Sequence, residues 1–147
     1  MLTGLSGSLV SCHFAERILQ QEFSGRLGEA SVETAERAFV RWWRAQASQI
    51  GPASSIRSIW DLAAAPLVEL LGFAVPLPSG DGDVRHALLI PSASRVALVA
   101  STPHASLDAL WRGATRRGIG LDALWVLATN GRELRLVDTA LFAERLQ

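Results

Sequence analysis

Asp81, Asp83, His86 and His104 are the side chains of this sequence whose types could gather around a cation. The first two lie in Pro78-Ser79-Gly80-Asp81-Gly82-Asp83, where aspartates alternating with glycines look like the start of a calcium loop. The later bidentate glutamate that completes such a loop is missing. The chain has 3 histidines, and none stands at a recognised zinc spacing, so the four residues read as a scattered set of surface or loop residues. Gly4-Leu5-Ser6-Gly7-Ser8 nearly spells a nucleophile elbow but lacks its second spacer, and no strand precedes it. Gly118-Ile119-Gly120 follows a helical pattern instead of opening one, which makes it a helix stop and not a phosphate loop. Cys12 is the single cysteine, so an intramolecular disulfide is excluded and a small apolar role is expected.

The elements that position these residues belong to one domain: 147 residues with 49% hydrophobic content suffice for a single core. Charge is balanced, with 14 basic and 14 acidic residues, so any contact with nucleic acid must come from a local patch and not from the whole surface. Every basic residue is arginine; there is no lysine. The stretch Met1 to Val10 has no positive leader region, and no apolar run approaches membrane-spanning length, so we expect a cytoplasmic protein without membrane contact.

Periodicity predicts a helical lead-in over 1–50, an α/β core over 51–138 and the start of a following helix over 139–147. In the lead-in, Phe14, Ile18 and Leu19 share a helical face that Gly25 and Gly28 should end. A second helix, capped by Ser31, carries an apolar stripe through Val32, Phe39, Trp42, Trp43 and Ile50, with Arg37, Arg41 and Arg44 on the opposite, solvated face. Gly51-Pro52 stops it, and Ser54 or Ser55 caps a third helix, in which Pro66 demands a kink or a fresh start and which Gly72 ends. Phe73 to Leu77 reads as a short edge strand. His86 to Ile90 and Arg95 to Ser101 follow as central strands joined by Pro91-Ser92-Ala93-Ser94. A helix capped by Ser106 places Arg112, Arg116 and Arg117 outward or at its end. Last comes a hairpin about Thr129-Asn130-Gly131-Arg132, where Asn-Gly suits a type I′ turn. Ala87, Leu89, Val96, Leu98, Val126 and Leu136 should be buried in a mixed sheet of four or five strands with helices on both faces.

The order helix, short strand, strand, strand, helix, strand resembles the αβββαβ core of the PD-(D/E)XK nucleases. The run from Trp125 to Asp138 and the strings Gly51-Pro52-Ala53-Ser54 and Leu71-Gly72-Phe73 are similar to the N-terminal region of Type IIG-like restriction-modification proteins. In those proteins a nuclease-like domain precedes an adenine-specific DNA methyltransferase. The resemblance implies an α/β, restriction-endonuclease-like fold preceded by N-terminal helices. It also implies that the chain is the front of a longer polypeptide, whose remainder is its main partner.

An active member carries an acid on the second strand, then Glu, one spacer and Lys on the third, to hold a divalent cation and activate water. The resemblance sets Ala87 and Ala100 at the acidic positions and Thr102 at the lysine, and Leu88 to Thr102 contains no acid. The expectation is therefore a pseudo-nuclease with no cofactor, retained as a structural or DNA-engaging module of a bacterial restriction-modification or phage-defence methyltransferase. In its DNA-engaging form, Arg112, Arg116, Arg117, Arg132 and Arg135 would contact phosphates, weakly and without sequence preference. The alternative is an active endonuclease with a relocated Mg²⁺ site built from Glu69, on the helix before the sheet, and Asp83.

Overall fold

The computed structural model describes residues 7–27, 29–90 and 94–144. The Gly4 to Ser8 string, Gly28, the Pro91 to Ser94 loop and the end of the last helix fall wholly or partly outside them. The chain divides into two compact units, Met1–Val40 and Arg41–Gln147. In the first, a π-helical turn, Phe14–Ile18, runs into α1, Leu19–Leu27, and α2, Ala30–Gln49, begins. Helix α1 passes through Gly25, because one glycine costs a helix only about 1 kcal/mol. Ser31 lies inside α2, not at its cap, and its hydroxyl bonds the Glu29 carboxylate at 3.3 Å.

In the second unit α3, Ile56–Ile59, a π-helical turn, Trp60–Ala64, and α4, Ala65–Leu70, form one helical stretch. Ser55 caps it, accepting from the Ser58 amide. The π-turn is the answer to Pro66, whose ring nitrogen cannot donate to the Leu62 carbonyl four residues back. The Trp42 indole N–H donates to that carbonyl at 3.2 Å. Trp42→Phe should therefore lower stability by about 1 kcal/mol in urea denaturation, the worth of one hydrogen bond with the ring's packing kept. Gly72, at φ 90°, then closes the helix, with the Phe73 amide donating to the Val68 carbonyl.

The sheet contains β1, Val84–Leu88, β2, Val96–Ser101, β3, Trp125–Thr129, and β4, Leu134–Asp138, in the order β1-β2-β3-β4. β1 and β2 are antiparallel, β2 and β3 are parallel across the crossover helix α5, Leu107–Gly120, and β3 and β4 are antiparallel. A short helix α6, Thr139–Glu144, follows β4. The expected edge strand at Phe73 to Leu77 reduces to one isolated bridge, Ala74 with Ile90, and a second bridge, Ser79 with His86, lies just beyond it. Pro76 and Pro78 between them have no N–H to donate, so a continuous ladder cannot form.

Side-chain alternation divides the core. Ile56, Ile59, Trp60 and Val68 of the helical stretch pack on Ala87, Leu98 and Leu127, while Ala114 of α5 packs with Ala97, Val99, Val126 and Ala128 on the other face. All six residues of β2 are buried, as its aliphatic run requires of a central strand covered on both sides. Ala87, Leu89, Val96, Leu98 and Val126 are buried as expected. Leu136 is not: it is 46% exposed. It pairs with Leu127 across the ladder and so faces the α3–α4 side, but those helices cover β2 and stop short of edge strand β4. The stripe on α2 differs likewise, for Gln46 is its one buried residue, Trp42 is half-buried and Trp43 is 44% exposed.

Candidate functional site

The C-terminal ends of the two parallel strands, β2 and β3, are where open α/β sheets form their ligand crevices. Here they meet the entry to α5, whose first turn is capped by the Ser106 hydroxyl accepting from the Asp108 amide. Ser101, Thr102, Pro103, Thr129 and Asn130 are all buried at this end. Much of the space is taken by the chain itself, and Asn130 does most of the taking. Its Oδ1 accepts from the Arg132 and Glu133 amides at 3.0 and 2.9 Å, and its Nδ2 donates to the Ala105 carbonyl at 3.0 Å. Thr129 Oγ1 donates to the Glu133 carbonyl and accepts from the Gly131 amide.

This geometry replaces the expected type I′ hairpin. Thr129 pairs with Leu134, so the loop holds residues 130–133 and not two. Only Gly131 of Asn130-Gly131 has positive φ, at 83°. The asparagine side chain mimics a backbone turn while its amide ties the loop to the segment before α5.

Ala87 and Ala100, at the positions that resembled metal-ligating acids, are 6% and 0% exposed and belong to the apolar cluster under α3 and α4. Thr102 is also buried, and its Oγ1 lies 3.2 Å from His104 Nε2. A carboxylate at position 100 would enter a layer of Ile59, Trp60 and Leu98 with nothing to pair it. Ala100→Glu should accordingly destabilise by at least about 3 kcal/mol in chemical denaturation, from overpacking together with burial of an unpaired acid.

Glu69 and Asp83 are exposed. Glu69 borders an open groove of about 340 Å³, shared with Trp60, Asp61, Pro66 and Pro76, and Asp83 is not part of its lining. Among the described residues, no three side chains drawn from His, Cys, Asp and Glu come close enough together to hold a metal ion. Between α5 and the sheet lies a cavity of about 10 Å³ bordered by Val84, Ser101, Leu110 and Arg117, with room for about one water molecule.

The five arginines divide into two groups. Arg135 donates to the Leu107 carbonyl and pairs with Asp108, at the first turn of α5. Exposed Arg132 stands near the same end, because Asn130 is tied to Ala105. Arg116 and Arg117 sit eight and nine residues further along α5 than Asp108, about 12–14 Å by helical rise. Arg117 is half-buried and donates to the Gly113 carbonyl, while exposed Arg112 stacks over the Trp111 ring at 5.5 Å. Of these five, Arg112, Arg116 and Arg132 are exposed and Arg117 and Arg135 half-buried.

The sequence reading missed Asn130 as the tie between loop and helix and Gly118 as a contact. α5 runs past Gly118 to Gly120, and a Cβ on Gly118 would lie 2.2 Å from Val126 Cγ2. The helix ends instead on Leu121, with Asp122 at φ 56° and the Ala123 amide donating to the Gly118 carbonyl. No protein-family model, curated protein or solved structure matches the chain.

Proposed function

We propose that the chain is a non-catalytic, nuclease-like packing module of a bacterial restriction-modification or phage-defence methyltransferase, with the restriction-endonuclease-like core as its scaffold. The observation that carries this reading is the burial of Ala87 and Ala100 in the apolar cluster under α3 and α4. Where a nuclease of that type would gather carboxylates, this sheet presents methyl groups to a hydrophobic layer. The chain has no lysine to activate water, and the crevice at the ends of β2 and β3 is stitched shut by Asn130 and Thr129.

The packing role is favoured over DNA engagement because the candidate arginines form no single patch and two of them are held by the fold. Arg135 is held by Asp108 and Leu107, and Arg117 by Gly113. Phosphate binding gains affinity from several free cations acting together.

Two measurements test the proposal. Titration with Mg²⁺ and Mn²⁺ in a calorimeter should give no saturable heat, and supercoiled plasmid should survive incubation with the chain and either ion. Metal-dependent nicking that vanishes in Asp83→Ala or Glu69→Ala would install the active endonuclease in its place. In gel shifts at low salt, the wild-type chain and the Arg116→Glu/Arg117→Glu variant should behave alike. Retention of every duplex by wild type alone would restore the DNA-engaging role.

A further inference from the structure

β4 ends the sheet, and the Thr139 amide shows which of its backbone groups face outward. That amide donates to the Leu124 carbonyl at 3.0 Å, one step beyond the pairing of Trp125 with Asp138, so Val126 with Val137 and Ala128 with Arg135 are the hydrogen-bonded pairs of the ladder. The N–H and C=O groups of Leu134 and Leu136 therefore point away from β3. Among the described residues nothing bonds to them, and neither proline nor bulge blunts the strand. The side chains of Leu134 and Leu136 share one face and are 50% and 46% exposed. Opposite charges flank them, exposed Arg132 in the loop before β4 and half-buried Asp138 at its far end. Neither makes an ion pair among the described residues, and Asp138 uses Oδ1 on the Ala140 amide, which leaves Oδ2 open.

We propose that β4 pairs with β4 of a second copy of the chain, antiparallel about a twofold axis normal to the sheet at Arg135, joining the two four-stranded sheets into one. The occupant follows from self-complementarity. An axis at Arg135 sets Leu134 against the second copy's Leu136, and each such pair exchanges both of its outward backbone hydrogen bonds. A twofold normal to the sheet keeps its faces, so the leucines meet on the same side. The axis also brings Arg132 to the end where the second copy's Asp138 stands, and symmetry makes this ion pair twice. Arg135 faces its own copy at the centre, with its charge already taken by Asp108. An axis at Leu136 would instead press Leu134 on the second copy's Asp138 and leave Arg132 without an acid, and a parallel pair would set like charges side by side. The order cation, leucine, leucine, anion thus selects both the orientation and the register. The strand is about 17 Å long, which makes the interface small and the association weak.

Sedimentation velocity of the full chain, from about 5 to about 500 µM, should show a monomer–dimer equilibrium with a midpoint on the order of 100 µM. Leu136→Lys should abolish the dimer, because it sets an ammonium against the second copy's Leu134. Arg132→Gln and Asp138→Asn should each weaken association about fivefold, since either one removes both ion pairs. The double variant should be no weaker than the single ones, because the same pairs can be lost only once. Asparagine keeps an oxygen for the Ala140 amide, and Arg132 and Leu136 are exposed, so the variants should keep the circular dichroism of the parent chain, which is checked first. Additive losses in the double variant, or a dimer indifferent to Leu136→Lys, overturn the proposal. So does a monomer across the whole range, the result expected if the remainder of a longer polypeptide covers β4.

Discussion

Asn130→Ala should lower the unfolding free energy by about 3–4 kcal/mol. One substitution removes three hydrogen bonds from a residue that is 4% exposed. Each hydrogen bond is worth about 0.5–1.5 kcal/mol, and the Ala105 carbonyl and the Arg132 and Glu133 amides lose a part-buried one each. Partial relaxation of the loop towards water keeps the total below the sum. Asn130→Asp separates the two halves of the role. A carboxylate still accepts from both amides, so the turn survives, but it cannot donate to Ala105 and sets two oxygens against each other. Its cost should fall between wild type and Asn130→Ala. Urea denaturation of the three chains measures the order; equal stability of wild type and Asn130→Ala would show that the loop is held by other means.

Gly118→Ala should destabilise by about 2–4 kcal/mol, although alanine is the better helix former by about 1 kcal/mol. The added methyl would overlap Val126 Cγ2, and Val126 has no room to yield: it is 0% exposed and β-branched, with few rotamers open to it. α5 would have to lift from the sheet, loosening the layer that Ala97, Val99, Ala114 and Ala128 form. Val126→Ala makes the space available, so the double variant should be more stable than the two single losses predict. That positive coupling, read from a double-mutant cycle in denaturant, distinguishes a steric contact from a loss of helix propensity. Strict additivity would rule the contact out.

Several elements were legible in the sequence because the force that makes them is local. The aliphatic run from Val96 to Ser101 reads as a central strand, and Ser55, Ser106 and Gly72 mark helix ends through their own chemistry. Pro66 announces a break in the helix by lacking a donor. The alternation of turn and strand around Asn130-Gly131 likewise marks a hairpin, and the absence of acids from Leu88 to Thr102 is plain from the residues alone.

Tertiary structure alone decided what depends on the neighbour that each side chain meets. Leu136 carries the same signal as buried Val126, but covering helices reach one and not the other, because β4 is an edge. Asn130-Gly131 has the composition of a two-residue turn, and it becomes a longer loop because the Ala105 carbonyl offers the asparagine a partner 25 residues away in sequence. Gly118 looks like a helix stop until α5 lies on Val126, when the missing methyl becomes the clearance between helix and sheet. Charge along the chain does not reveal that Arg116 and Arg117 stand most of a helix length from the Asp108 end where Arg135 lies, or that Arg135 and Arg117 are held by Asp108 and by backbone carbonyls. Propensity and turn chemistry act over a few residues and so are written in the sequence, whereas burial and pairing are set by distant residues that meet only when the sheet and its helices have packed.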